Sequence, residues 1–252
     1  LQGIMGGYYS KLSGMSEDIS TAIFEHYKPK GLSDNLPETK LGAMLSMIDK
    51  IDTLTGFFVI NKKPSGSKDP FALRRTGFSI AQILINFKLN MTIEDLFFAS
   101  LKTFKNSSNS VKIDLIKFIT DKIKFVMKNQ GFSDGIVESV FSLPDINNLK
   151  FQNIYKRIEV LSNMVSSSNF KLFLTNFKRL NNILKTNKSP ICLNKKINVK
   201  LFEKSEEQDI YNAVKTLKLK AKKYLTTLDQ EIYLKDIIKL HFPIYKFFEN
   251  VI

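Results

Sequence analysis

Apolar residues recur at three- and four-residue spacing along almost the whole chain, and no strict apolar–polar alternation survives over more than a few residues. That periodicity lines one face of a helix and cannot line one face of a strand. With 11 Gly and 7 Pro in 252 residues, the chain also lacks the turn density of an all-β fold. The expected fold class is all-α and multi-helical. A 43% hydrophobic content with 21 Phe supplies a core, and 25% charged residues is ordinary for a globular chain. No run of about 18 uncharged apolar residues exists, so no membrane span is expected. The single Cys, Cys192, excludes an internal disulfide framework and a Cys-rich zinc site. The opening Leu1-Gln2-Gly3 carries neither Met nor a basic leader, and the chain is expected to be part of a longer protein.

The spacing predicts a helix over 16–27, with Ser16 as N-cap, Glu17 and Asp18 in the first turn, and Ile19, Ile23 and Tyr27 on one face. Pro29 and Gly31 stop it. A second helix over 39–58 carries a stripe of Leu41, Met44, Leu45, Ile48, Ile51 and Leu54. After the loop NKKPSGSKD, Asp69 as cap and Pro70 in the first helical position predict a helix from Pro70 to about Phe87. Thr92 caps another, ending near Lys102. KNSSNS (105–110) reads as a linker. Beyond it Ile113, Ile116, Ile119, Ile123 and Val126 share a face, and Gly131 ends that helix. Shorter helices are expected at about 134–141, 151–166 and 170–186, then a polar stretch over 187–200 broken by Pro190, then helices over about 205–225 and 228–250.

Charge is unevenly distributed. Residues 1–100 carry 11 Lys+Arg against 10 Asp+Glu, whereas residues 101–252 carry 27 against 14, so nearly all of the net +14 belongs to the second part. Such an excess suits a polyanion partner, because neutralised phosphates release counterions. Yet 34 of the 38 basic residues are Lys, and Asn, Ile and Phe are frequent, which is also the usage of an AT-rich genome. Charge alone decides nothing.

No GxGxxG, Walker-type GxxxxGK[ST] or GxSxG stands in the chain. His241, on an apolar stretch, reads as structural. His26 on one helix with Asp49 and Asp52 (i, i+3) on the next has the beginnings of an imidazole–carboxylate metal site. The alternative has the aspartates pair with Lys50, Arg74 or Arg75 while His26 hydrogen-bonds locally. The segment Pro64–Pro70 combines a loop, Lys68 and a helix start, and so offers a phosphate contact as readily as an ordinary cap. Arg74 and Arg75 are two of only four Arg in a Lys-biased chain, which points to a need for the planar guanidinium, either toward RNA phosphate or toward an internal carboxylate.

The same segments carry a resemblance. LQGIMGGYY (1–9), Glu25-His26-Tyr27 with Pro29, Asp49-Lys50-Ile51-Asp52-Thr53-Leu54 running into Gly56-Phe57-Phe58, and PSGSKDPFALRR (64–75) resemble, in order, the motifs of the bacterial glycyl-tRNA synthetase β subunit family. Ser65 stands where the family's motif has Thr. Further on, Asn129-Gln130-Gly131-Phe132, Arg179–Leu184 and the closing PIYKFFENVI resemble the family's helical anticodon-binding region.

The resemblance implies a subunit of a cytoplasmic α2β2 glycine–tRNA ligase that charges tRNA-Gly using ATP and Mg. Its aminoacylation site would lie on the α subunit, with no cofactor and no catalytic residue on this chain. Residues 1–104 would be the C-terminal part of an HD-like helical domain, and 105–252 part of a helical anticodon-binding domain ending before its DxALRxNRL-like helix. The expected tRNA contacts are Lys68, Arg74 and Arg75 near the acceptor end, and Arg179, Asn182 and Lys185, about one turn apart on one helix, near the anticodon. The alternatives are a metal-dependent phosphohydrolase using His26, Asp49 and Asp52, or a purely structural assembly module.

Overall fold

The computed structural model describes residues 3–105, 107–144, 146–186, 197–226 and 230–251. Among these the regular structure is helical, with isolated bridges at Ser65–Lys68 and Thr92–Lys150. The helices are α1 (Ile4–Leu12), α2 (Glu17–Glu25), α3 (Lys40–Val59), α4 (Leu73–Asn86), α5 (Asp95–Thr103), α6 (Asn109–Asn129), α7 (Asp134–Phe141), α8 (Phe151–Val165), α9 (Ser168–Thr186), α10 (Ser205–Thr226), α11 (Gln230–Ile238) and α12 (His241–Asn250). The all-α expectation is met. No helix among the described residues is long and apolar enough to cross a membrane.

The chain divides into two compact units, Leu1–Ile158 and Glu159–Ile252. In the first, α1 packs on α2, α2 on α3, and α3 on α4, α5 and α6, while α4 also packs on α6. Leu54, Ile80, Ile83, Leu84, Phe97, Leu115, Ile119 and Ile123 are fully buried. Each such side chain contributes roughly 1.5–3 kcal/mol of transfer free energy. Edge-on Phe58–Phe118 (5.3 Å) and tilted Phe78–Phe125 (5.0 Å) pairs fasten α6 to α3 and α4. The expected boundary at 104/105 therefore falls between helices of one compact unit. The KNSSNS stretch contains a helix start: Ser108 caps α6 by accepting from the Val111 N–H.

The helix α1 was not anticipated, because Gly6 and Gly7 are poor helix formers. Gly7 is there for contact: a Cβ at this position would lie 2.2 Å from the Phe24 ring, so only glycine lets α1 sit this close to α2. Three expected faces also differ. In α2 the buried positions are Ser20, Ala22 and Glu25, and Ile19 is exposed. In α3 only the second half of the stripe, Ile51 and Leu54, is buried. Leu41, Met44, Leu45 and Ile48 face outward, and the small residues Gly42, Ala43 and Ser46 face inward. In α6 Val111 and Leu115 take the buried face that Ile113 was expected to hold.

In the second unit α9 packs on α11 and α12, and α10 on α11 and α12. Val160, Met164 and Ile238 are buried together with Phe170, Phe173 and Leu234 packed around them. The helix expected over 228–250 is two helices, α11 and α12, parted at Lys239–Leu240. Pro243, which lacks an N–H, fits the first turn of α12 and not the middle of a longer helix. The Asn176 side chain, buried on α9, donates to the His241 main-chain carbonyl at 3.0 Å and ties α9 to the start of α12. Most of the polar stretch 187–200, Pro190 included, lies outside the described residues.

Candidate nucleic-acid interface

Three of the motif segments meet at one cleft. Its walls are Tyr27 and Lys30 beyond α2, Asp49, Lys50 and Thr53 on α3, and Arg75 and Thr76 on α4, around a space of about 470 Å³. Two buried polar anchors position these walls. The first is Glu25, 4% exposed, whose carboxylate accepts from the N–H groups of Glu38 (2.8 Å) and Thr39 (3.2 Å) and from the Thr39 hydroxyl (2.9 Å). Thr39 in turn caps α3 by accepting from the Gly42 N–H. Burial pulls the Glu25 carboxyl up, but the hydrogen bonds from residues 38 and 39, helped by the Lys28 ammonium, outweigh it and hold the group below its ordinary range.

The second anchor is Lys50, 8% exposed. Its ammonium donates to the carbonyls of His26 (3.2 Å) and Tyr27 (3.3 Å) and to the Ser46 hydroxyl (2.8 Å). All three N–H donors are engaged just beyond the C-terminal end of α2, where a cation is favoured. Burial nevertheless lowers its pKa to about 8, against the raising effect of Asp49 and Asp34. Ser46 also donates to the Lys28 carbonyl, and Ser79 of α4 to the Pro29 carbonyl at 2.7 Å, so the chain leaving α2 is held from both sides.

The loop Pro64–Asp69 is closed by reciprocal backbone bonds between Ser65 and Lys68, with Gly66 at φ 50° in the turn. The Arg74 guanidinium donates to the Gly66 carbonyl and fastens this loop to α4. Asp69 still acts as a cap, but from a distance: Ala72 occupies the N-cap in a left-handed conformation, and α4 begins at Leu73, not at Pro70. The Asp69 carboxylate accepts from the N–H groups of Leu73 (2.8 Å) and Arg74 (3.0 Å). Those amides are the ones a phosphate would use at this helix end, so the protein's own carboxylate already occupies the expected backbone cradle.

The two arginines therefore part ways. Arg74 is half-buried and tied to the loop, whereas Arg75 is exposed and lines the cleft. Among the described residues neither forms an ion pair with Asp49 or Asp52, so the alternative pairing with Arg74 or Arg75 is not made, while Asp49 acts on the neighbouring Lys50 ammonium by charge without a salt bridge. Asp52 instead accepts from the Ser100 hydroxyl at 3.1 Å. His26 bonds locally, its Nδ1 2.6 Å from the Ile23 carbonyl. Among the described residues no group of three His, Cys, Asp or Glu is placed to hold a metal, so His26, Asp49 and Asp52 do not assemble into one. Lys68 is exposed on the loop. In the second unit Arg179, Asn182 and Lys185 are exposed on α9, and the Arg179 guanidinium lies 4.2 Å from the centre of the Phe248 ring of α12.

Among the described residues several lysines are paired with acids. Lys112 pairs with Glu94, Lys124 and Lys128 with Glu138, and Lys220 and Lys239 with Asp236. Sequence reasoning missed Lys30 and Lys50 as members of the cleft. Lys50 stood in plain view between Asp49 and Asp52, but the aspartates drew the reading toward a metal.

The family model for the glycyl-tRNA synthetase beta subunit matches residues 1–142, which contain every segment of the cleft. The chain belongs to this family. It is 33% identical over its full length to the glycine–tRNA ligase beta subunit of Rickettsia canadensis (strain McKiel), covering 36% of that relative. It is 34% identical to the one of Buchnera aphidicola subsp. Schizaphis graminum and 31% identical to the one of Thermodesulfovibrio yellowstonii, again over its full length and 36% of each relative. The chain thus spans about a third of the length of the relatives it matches.

Proposed function

We propose that this chain is a tRNA-docking and assembly part of a glycine–tRNA ligase β subunit. In this reading it supports the ATP-dependent charging of tRNA-Gly with glycine by an α2β2 enzyme in the cytoplasm, and ATP, Mg and bond-making belong to the α subunit. The first compact unit, which holds the cleft, acts as an HD-like docking module near the acceptor end, and the second, with Arg179, Asn182 and Lys185 on α9, contributes near the anticodon arm. The observation that carries the reading is the convergence of three family motif segments on a cleft whose open side presents Arg75 and Lys30. Exposed guanidinium and ammonium groups bind phosphate by charge and fix register, without reading sequence.

The test is filter binding of tRNA-Gly to the complete β subunit, with its α partner, across a salt series. Affinity is expected to fall steeply with salt. The double variant Lys68→Ala, Arg75→Ala should lower the log–log slope by roughly one to two, the share of two phosphate contacts. A flat salt response in the native protein would refute electrostatic docking.

A further inference from the structure

We propose that the cleft between α2, α3 and α4 is a specific site for a phosphate-class oxyanion, gripped by Arg75 and Lys30. This sharpens the tRNA reading above and rests on it for RNA as one source of the phosphate.

Size is the first argument. A space of about 470 Å³ admits a phosphate or diphosphate with part of its attached group, so of a folded RNA only a backbone phosphate and its immediate neighbours fit. Charge is the second. Three cationic side chains, Lys30, Lys50 and Arg75, line the cleft with one carboxylate, Asp49, which is exposed. Among the described residues neither Lys30 nor Arg75 has an ion-pair partner. The nearby Asp34 carboxylate accepts from the backbone N–H groups of Lys30 (2.8 Å) and Asn35 (2.9 Å), and its charge acts on the Lys30 and Lys50 ammonium groups through space without an ion pair to either. Lys50 sits behind them with its donors fully engaged, so it supplies a fixed positive field and does not itself have to reorganise.

Arg75 is the directional element. Its planar fork is suited to two parallel hydrogen bonds to one phosphate, which a lysine cannot reproduce. The Thr76 hydroxyl donates back to the Ala72 carbonyl at 3.2 Å, which leaves its oxygen beside the cleft as an acceptor for a protonated phosphate oxygen. The backbone amides at the start of α4 take no part, since Asp69 holds them. The grip is built from side chains.

The experiment is calorimetric titration of the complete β subunit with inorganic pyrophosphate, with and without saturating tRNA-Gly. Saturable binding is expected below about 10 mM, weakened about tenfold or more by Arg75→Ala and only partly restored by Arg75→Lys. Lys235→Ala, a surface change in the other unit, should leave it unaltered. If tRNA-Gly displaces pyrophosphate, the oxyanion belongs to RNA. If both bind together, it belongs to a free phosphate compound. Either outcome supports the site. No saturable heat, or equal binding by Arg75→Ala, overturns it. Salt-dependent tRNA binding without pyrophosphate binding would sink the cleft proposal and leave tRNA docking standing, whereas loss of both in the native protein would sink both.

Discussion

The Lys50 ammonium donates to the His26 carbonyl at 3.2 Å and so ties the middle of α3 to the end of α2 with a buried charge. The folded protein releases this proton near pH 8, while an unfolded chain keeps it to about 10.5. Stability should therefore rise as pH climbs from about 8 to 10.5, by about 3 kcal/mol at most. Lys50→Met should lack this rise. Urea unfolding of both proteins at several pH values in that window checks it, and parallel curves would refute it.

Glu25 behaves in the opposite sense. Its folded carboxyl is held below the ordinary range, so its contribution is complete above that range and disappears as pH falls through the depressed value. Glu25→Ala leaves the N–H groups of residues 38 and 39 without their acceptor and should cost about 2–4 kcal/mol near neutral pH. Acid unfolding monitored by circular dichroism should show a shallower slope in Glu25→Gln than in the native protein.

Ala72 holds φ 56° at the entrance to α4, a conformation costly for any residue with a Cβ. Ala72→Gly should stabilise the protein slightly or leave it unchanged, within about 1 kcal/mol, despite the added freedom of the unfolded chain. A clear loss in thermal denaturation would show that the left-handed turn is not the state in solution.

Gly77 faces α6. A Cβ there would lie 2.8 Å from the Phe118 ring and 3.0 Å from Lys122 Cγ. Gly77→Ala should cost about 1–3 kcal/mol by prising α4 from α6. The companion Phe118→Leu should recover part of the loss if this contact is the cause, and equilibrium unfolding of the double variant measures that recovery.

Some helix ends were readable because they are fixed by local chemistry. Thr92 and Asp95 exchange hydrogen bonds at the start of α5, and Gly131, at φ 98°, follows the end of α6, whereas Ser108 caps α6 from inside the stretch that reads as a linker. Which face turns inward was less readable. α3 and α6 carry apolar residues around more than half their circumference, so periodicity alone does not choose between Ile113 and Leu115, or between Leu41 and Ala43. Close packing chose the smaller residues in α3.

The same limit applies to the cleft. The motif segments were visible one by one, but their meeting depends on how the chain leaving α2 is pinned by Lys50 and Ser79, through bonds between residues 23 to 50 positions apart. Asp69 was identified as a cap, and the further step, that capping removes those amides from ligand binding, needed the geometry.

That last feature sets the character of any anion recognition on this side of the molecule. A helix end that has sealed its own dipole offers no rigid mould for a tetrahedral group. Attraction must come instead from long, hydrated arms that reach outward, tolerate small displacements of the guest, and let go readily when the ionic background thickens.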